Sequence, residues 1–131
     1  MRTDAQTTGD DAESAVATDL ASAGWTILAR NVRVGWGELD IVAIDPGPPH
    51  ALVIVEVRWR RSRAFGLAEE TIDHRKRAHL RAAIARLVED GLPGGAMLPR
   101  LPLRADLIVV EPAANGSGES VRIRHHRAIG L

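Results

Sequence analysis

The 131 residues contain no cysteine and no apolar run of about 18 residues. Without cysteine the chain has no disulfide, no thiolate metal ligand and no thiol nucleophile. Without a long apolar run, no segment is predicted to span a membrane. Residues 1–8 also lack the basic and apolar regions of a signal peptide. We therefore expect a soluble, cytoplasmic protein.

An excess of one charge sign is lacking as well, because 17 basic residues balance 17 acidic ones. Zero net charge argues against a protein that coats nucleic acid indiscriminately. The charges are nevertheless unevenly placed: residues 1–20 hold five acids against one base, whereas residues 58–86 hold nine bases against three acids. One basic stretch in a neutral chain favours local contact with phosphate.

Length and an apolar content of 45% fit one globular domain, which we place at residues 9–131 after a flexible tail at residues 1–8. Apolar periodicity and turn residues predict the order α-β-β-β-α-β-β. The expected fold class is α/β, with a mixed central sheet flanked by helices. Helices are predicted at 11–23 and 71–90, and strands at 25–33, 37–45, 51–59, 104–111 and 120–126.

Strands 37–45 and 51–59 are joined by "PGPPH", a turn centred on Pro48. If they pair as a hairpin about that turn, opposing residue numbers sum to 96, and Asp40 lies opposite Glu56. Opposed residues hold their Cβ atoms about 4.5–5.5 Å apart, so two carboxylates there repel and need a cation. Mg²⁺ is commonly held by one or two carboxylates with water and phosphate. The pair is therefore a candidate metal site.

An ordinary ion-pair arrangement uses the same residues. The register that opposes Asp40 and Glu56 also places Glu38 opposite Arg58, and this arginine could neutralise the neighbouring acids. A slip of one residue would instead send the two acids to opposite faces of the sheet. The pattern alone leaves both interpretations open.

The segments "GELDIVAID" and "VIVEVRWR" resemble the motif pair of the YraN family, small bacterial proteins predicted to be endonucleases. The likeness extends to "GWTILARNVR" before these segments and to "FGLAEETIDHRKRAHL", "LRADLIVV" and "IRHHRAIG" after them. The family is similar to restriction-endonuclease-like nucleases, including archaeal Holliday-junction resolvases. The resemblance covers roughly residues 9–131 and implies a restriction-endonuclease-like mixed sheet flanked by helices.

The resemblance also implies roles for three acids. Such nucleases carry an aspartate on one strand, Glu-x-Lys on the next, and often a glutamate on the first helix. Asp40 and Glu56 match the strand acids and would hold Mg²⁺ or Mn²⁺. Glu13 matches the helix glutamate and would support the metal, although Ala12 precedes it where the family usually has glycine. The alternative for Glu13 is an acid favoured by the dipole of the helix N-terminus.

Arg58 departs from the motif, because it stands where the motif has lysine. In this chemistry the lysine helps to position the attacking water. Arginine keeps the positive charge and can bind phosphate through two nitrogens, but it does not readily release a proton and its fork is larger. We therefore expect Arg58 to preserve phosphate binding better than water activation, and cleavage to be slowed, altered or lost.

The only lysine of the chain, Lys76, matches a lysine in the family's second helix. On a helical wheel it lies near the predicted apolar stripe, from which it could reach over the sheet edge toward the acids. The alternative is a lysine that extends into solvent at the helix start. The predicted stripe consists of Leu80, Ala83, Ile84, Leu87 and Val88.

Further basic and aromatic residues flank the motif strands. Packing against the sheet is favoured over base stacking for Trp36 and Trp59, and the loop arginines form a solvated surface if no nucleic acid binds. The predicted nucleic-acid contacts are Arg58, Arg60, Arg61, Arg63 and Lys76.

Two residues of the later strands are expected to be structural. Asp106 is predicted to pair with Arg104. His125 matches a histidine of the family's closing segment, and the adjacent His126 points to the opposite face of a strand, so the two do not readily share a metal ion.

Three functions stay open. The first is a metal-dependent endonuclease that hydrolyses phosphodiester bonds of DNA, branched or junction DNA included, with catalytic residues Asp40, Glu56, Arg58, Glu13 and Lys76. The second is a DNA-binding module of the same fold that lost turnover at Arg58. The third is a partner-binding protein whose acids and arginines simply pair. DNA is the expected partner, a homodimer is compatible with the resolvase likeness, and no membrane is expected.

Overall fold

The computed structural model describes residues 4–35, 37–61, 72–113 and 121–131. Within these residues, two α-helices and five strands follow one another in the predicted order, with a short 3-10 turn at Pro93–Gly95. The elements are α1 at Asp4–Ser22, β1 at Thr26–Val34, β2 at Gly37–Asp45, β3 at Ala51–Trp59, α2 at His74–Asp90, β4 at Leu103–Pro112 and β5 at Val121–His126.

The strand bounds agree closely with the predicted ones, and β2 and β3 coincide with them. The larger differences lie at the helix starts. α1 begins at Asp4 rather than at residue 11, and so extends into the segment predicted as a flexible tail. The first residues of this helix are small or polar and carry no apolar periodicity that could have indicated it. The division of the chain into a tail and one domain stays a prediction.

α2 begins at His74 because Asp73 caps it. The Asp73 side chain accepts a hydrogen bond of 2.9 Å from the backbone N–H of Lys76, which satisfies one of the free donors of the first turn. The prediction of residue 71 as the start was therefore too early. The helix ends at Gly91, which has a φ of 81° and donates its N–H to the carbonyl of Leu87.

The described strands form one mixed sheet in which their spatial order equals their order along the chain. β1, β2 and β3 are antiparallel neighbours, β4 runs parallel to β3 after the crossover through α2, and β5 is antiparallel to β4. In the β2–β3 hairpin, Ile41 opposes Val55 and Asp45 opposes Ala51. This register confirms the predicted sum of 96.

α1 covers one face of the sheet. Its buried side chains include Val16 and Leu20, which join Trp25 in a cluster with inward-facing residues of the central strands, such as Ile41 and Val53. Burial of such aliphatic side chains contributes on the order of 1.5–3 kcal/mol each. The apolar side of α1 therefore covers this face of the sheet.

α2 covers the other face, and most of its predicted stripe is buried. The exception is Val88, which is 59% exposed. It lies one position beyond Leu87 and thus about 100° around the helix from the last buried contact. The buried members of the stripe are Leu80, Ala83, Ile84 and Leu87.

The residues after β5 tie the start of α2 to β4. The backbone N–H of Ile129 donates to the carbonyl of Ala105 at 2.8 Å. The Arg77 guanidinium donates to the carbonyl of Ile72 at 3.1 Å and to that of Gly130. The first turn of α2 is therefore held from both sides.

The observed class is α/β, with helices on both faces of a mixed sheet, and it is compatible with the predicted restriction-endonuclease-like fold. Among the described residues, neither helix has the length and apolar character that crossing a membrane requires.

Candidate active site

The two motif acids lie where β2 and β3 separate. The paired stretch of the hairpin runs from Asp45–Ala51 to Ile41–Val55, and Asp40 and Glu56 are the next residues on each strand. Beyond this point β2 remains paired with β1 and β3 with β4. The sequence thus correctly placed the two acids side by side.

Asp40 closes the gap between the strands with its side chain. Its Oδ2 accepts a hydrogen bond of 2.8 Å from the backbone N–H of Val57. In a continuing β-ladder a backbone carbonyl of the neighbouring strand would accept from this N–H, and here the Asp40 carboxylate accepts instead. This hydrogen bond fixes the orientation of the Asp40 side chain. Within the described part of the chain, the second carboxylate oxygen of Asp40 is left for another donor or a cation.

Burial raises the pKa of Asp40 to about 7, and the negative charge of Glu56 adds to this effect. The Val57 N–H and the charge of Lys76 act in the opposite direction, whereas the charge of Glu13 raises the pKa further. At neutral pH the site therefore lacks enough positive charge to keep Asp40 fully ionised. A proton or an added cation satisfies this deficit.

Lys76 reaches the acids from the first turn of α2. Its Nζ lies 3.1 Å from Oε1 of Glu56, and its side chain is 32% exposed. This contact places the Lys76 ammonium group on the Glu56 carboxylate. The helical wheel had indicated that Lys76 could reach toward the acids in this way. The catalytic role of Lys76 stays a prediction.

Arg58 contacts the same carboxylate from within β3. Its Nε lies 3.6 Å from Oε1 of Glu56, which is an ion pair beyond hydrogen-bonding distance. Among the described residues, Arg58 Nε is buried and has no hydrogen-bond partner. The alternative interpretation paired Arg58 with Glu38 across the strands and also had it neutralise Glu56. Arg58 contacts Glu56, and the pairing of β2 with β3 ends at Ile41, before Glu38 and Arg58 could oppose each other.

Glu13 is buried on α1, and its partner is an arginine of β1. Its Oε1 accepts from Arg30 Nε at 3.2 Å, and Arg30 also donates to Ser14 Oγ at 3.0 Å. Burial raises the pKa of Glu13 above its usual range although Arg30 opposes the change. Glu13 thus acts on Asp40 through its charge, and its predicted support of a metal ion stays a prediction.

The remaining predicted nucleic-acid contacts lie at and beyond the end of β3. Arg60 is half-buried and Arg61 is exposed. Arg63 lies outside the described residues, as does Trp36. Trp59 is partly buried and packs against the core beneath α1, which confirms the packing interpretation for it.

The donor set of the site suits a hard divalent ion with an incomplete protein shell. Among the described residues, no group of three or more histidines, cysteines, aspartates or glutamates converges as a metal cage. Mg²⁺ needs no such cage, because one or two carboxylates with waters and substrate phosphate suffice. Asp40 and Glu56, with a charge deficit between them, fit that mode of binding.

A second cluster of buried acids is built on β4, where Asp106 opposes Val55 of β3. Asp106 is fully buried and receives hydrogen bonds from the Arg104 guanidinium at 2.8 and 2.9 Å and from the Ala128 N–H at 2.9 Å. His125 Nε2 lies 2.8 Å from its Oδ2. Although burial raises it, these partners hold the pKa of Asp106 at about 2. The predicted pairing of Arg104 with Asp106 is confirmed.

Two members of this second cluster were not predicted. Asp45 accepts from Arg104 at 2.9 Å and from Arg127 at 3.1 Å, and both guanidinium groups lie 5.7 Å from the Trp25 ring centre. Asp45 and Arg127 are 82 positions apart, so local patterns carry no signal for their contact.

Fold and site together define a class: an α/β domain compatible with the restriction-endonuclease-like fold, with an acid pair and a lysine at the point where two central strands separate. The chain belongs to the family described as "Uncharacterised protein family UPF0102", whose model matches residues 12–110. This confirms the resemblance to the YraN family.

Individual relatives match over most of the chain. A UPF0102 protein of Symbiobacterium thermophilum is 40% identical over 108 residues, covering 82% of this chain and 85% of that protein. A UPF0102 protein of Roseiflexus castenholzii is 40% identical over 118 residues, covering 89% and 87%. One of Sorangium cellulosum is 48% identical over 79 residues, covering 60% and 53%.

Proposed function

We propose that the chain is a metal-dependent endonuclease that hydrolyses phosphodiester bonds of DNA, branched or junction DNA included. The observation that carries the proposal is the acid pair of half-buried Asp40 and buried Glu56. Lys76 lies on Glu56, and partial burial together with the charge of Glu56 raises the pKa of Asp40 to about 7. Perturbed carboxylates of this kind are concentrated at functional sites.

Asp40 and Glu56 would hold Mg²⁺ or Mn²⁺. The ion, when bound, would polarise a phosphate and lower the pKa of a water. The Val57 N–H orients Asp40, and the charge of Glu13 increases the demand for a cation. Each of these residues therefore favours occupation of the site.

Lys76 supplies the ammonium that the motif usually has two residues after the glutamate. Its Nζ already lies beside Glu56, where it can orient water and offset charge on phosphate. Arg58 keeps the motif position and offers a guanidinium for phosphate. Division of the motif lysine's two tasks between Lys76 and Arg58 explains how a chain with arginine in the motif can retain turnover.

DNA would approach over the basic end of β3. Arg58, Arg60 and Arg61 follow one another along and just beyond this strand, and each can contact backbone phosphate. Such contacts carry affinity without base preference and weaken with added salt.

The test is cleavage of a labelled branched duplex in Mg²⁺ and in Mn²⁺. Asp40→Asn and Glu56→Gln should each abolish nicking. Lys76→Ala should lower the rate by about a hundredfold or more, as for loss of a group that stabilises developing charge. Exposed Arg100 on a distant loop provides the control, and Arg100→Ala should cleave like the original chain.

Arg58→Lys separates the two cations. If Lys76 does the motif lysine's work, restoring the motif should change the rate by less than about tenfold. The contrary result would be much faster cleavage by Arg58→Lys together with an unchanged rate in Lys76→Ala. It would show that Arg58 is what slows cleavage and would contradict the proposed role of Lys76.

A non-catalytic DNA-binding module is the second candidate. It is favoured by the fact that Lys76 and Arg58 both pair with Glu56, which neutralises this acid without a metal. Salt-sensitive DNA binding without cleavage in either metal would establish this alternative. Absence of DNA binding at low salt would contradict both functions.

A further inference from the structure

A groove adjoins the acid pair on the side of α2. It has a volume of about 540 Å³ and is lined by residues near the start of β2 and by the stretch of α2 from Lys76 to Arg86. Lys76 belongs to both sites, because it lines the groove and also contacts Glu56. A ligand bound in the groove would therefore adjoin any phosphate bound at the acids.

The groove has an apolar wall and a polar rim. Val34, Leu80 and Ala83 contribute aliphatic surface. Lys76, His79 and Arg86 line the same space and offer nitrogen donors. The volume falls within the range of about 300–1,000 Å³ that small-ligand sites have. The occupant must combine a flat or compact apolar part with an anionic part.

We infer that this groove binds one unpaired nucleotide of DNA, next to the phosphate that the acid pair receives. The inference rests on the proposed function for the position of the DNA backbone. It goes further in assigning a substrate class, DNA with a nucleotide free to leave the helical stack at the cleavage position.

The chemistry of a nucleotide matches the two kinds of lining. A base taken out of the stack is commonly held between apolar or aromatic side chains, and the aliphatic wall provides such a surface. The phosphate on one side of the base would meet Lys76, and Arg86, about 15 Å farther along α2, would meet a phosphate farther along the same strand. Glu38, which also lines the groove, can accept a hydrogen bond from an exocyclic amino group.

A base within a continuous duplex is a poor occupant. It must break its pair and its stacking before it can enter, at a cost of a few kcal/mol, whereas a base in a tail or a gap has already lost these contacts. The groove should therefore favour DNA with single-stranded segments over blunt duplex of the same length.

Gly37 allows the groove to be filled selectively. A Cβ built at Gly37 lies 3.9 Å from the Ala83 Cβ and 3.8 Å from the carbonyl oxygen of Val34, both ordinary contacts. Gly37→Ala should therefore be tolerated, and Gly37→Leu should project a larger side chain between the β1–β2 turn and α2. The alanine variant is the matched control for the leucine variant.

Arg86 provides a second, independent variant. It is 60% exposed and its ion pair with Asp90 is a surface pair, so Arg86→Ala should fold normally. Arg81 lies on the same helix but lines a different groove, beside Leu103 and Ala105. Arg81→Ala removes the same charge elsewhere and serves as its control.

The experiment measures equilibrium binding of fluorescent DNA in EDTA, with a duplex that carries a single-stranded tail and a blunt duplex of equal length. The original chain should prefer the tailed duplex by about tenfold, as the binding of one base would give. Gly37→Leu should remove most of this preference and Arg86→Ala should lower it severalfold, whereas Gly37→Ala and Arg81→Ala should retain it.

Absence of a tail preference in the original chain, absence of any DNA binding, or an unchanged preference in both Gly37→Leu and Arg86→Ala would overturn the inference. A stronger preference for an RNA tail than for a DNA tail would also overturn it. Cleavage in Mg²⁺ and Mn²⁺ is measured on the same DNA. If Gly37→Leu loses the tail preference and no cleavage occurs in either metal, the nucleotide-binding groove is supported and the nuclease function is contradicted.

Discussion

The sheet carries two groups of acids on neighbouring strands and treats them in opposite ways: Asp40 and Glu56 on β2 and β3, and the Asp106 cluster on β4. Asp106 is surrounded by donors, and its pKa lies at about 2. Asp40 faces a second acid with too few donors, and its pKa lies at about 7. Satisfied charges hold a fold together, whereas an unsatisfied pair marks a place that a ligand completes. This contrast supports the proposal that the Asp40 group, and not the Asp106 cluster, receives a ligand.

The largest expected difference between the two groups of acids is in stability. Asp106→Asn should lower the free energy of unfolding by about 3–5 kcal/mol, because it leaves the partly buried Arg104 without its main counter-charge. Asp40→Asn should not lower it and should raise it at neutral pH, because the amide oxygen can still accept from Val57 and the ionised carboxylate that burial and Glu56 disfavour is removed. Urea denaturation of both variants measures this, and equal losses would contradict the comparison.

Added metal should stabilise the chain through the Asp40 group only. At about a hundred times its dissociation constant, Mn²⁺ should raise the free energy of unfolding by about 2.7 kcal/mol, and Asp40→Asn should abolish this gain. Arg127→Ala, at the other cluster, should keep it. Thermal unfolding with and without Mn²⁺ measures the effect, and a gain that survives Asp40→Asn would place the ion elsewhere.

The two acids should also give opposite dependences of stability on pH. Because the pKa of Asp40 is raised to about 7 from 3.8, the folded chain binds a proton that the unfolded chain has lost between these values. The Asp40 contribution therefore makes stability rise as pH falls through this window, by up to about 1.4 kcal/mol per pH unit. Asp106, with its pKa lowered from 3.8 to about 2, contributes stability that is lost as pH falls from 3.8 toward 2.

Asp40→Asn tests the assignment of this slope. It should flatten the part between pH 4 and 7 and leave the loss of stability at lower pH in place. Urea midpoints measured across the pH range give both slopes. If the slope between pH 4 and 7 persisted in Asp40→Asn, another group would be its source.

The smallest effect concerns Glu13. Glu13→Gln keeps a side chain that can accept from Arg30 but removes a charge that raises the pKa of Asp40, and that pKa should fall by less than about one pH unit. Glu56→Gln should lower it more, because Glu56 is the stronger influence. The carboxyl carbon shift of Asp40, followed by NMR against pH, measures both variants, and a reversed order would contradict the geometry.

The strands and their register were readable from the sequence because alternation and the turn at Pro48 are local signals. The start of α1 was not, since its first residues carry no apolar periodicity. The register placed Asp40 beside Glu56, as observed. It also opposed Glu38 and Arg58, which the structure does not, because beyond Ile41 β2 pairs only with β1 and β3 only with β4. The contact of Lys76 with Glu56 depends on the depth of α2 over the sheet, which a helical wheel does not contain.

The bond between Arg77 and the carbonyl of Gly130 joins residues 53 positions apart. During translation at about 5–20 residues per second, roughly 3–10 s separate the emergence of these two residues from the ribosome. The hairpin that brings Asp40 and Glu56 together is complete by residue 59 and can form earlier. In the nascent chain the hairpin that carries the acids is therefore available for pairing before the helix that carries Lys76 can gain its anchor at Gly130.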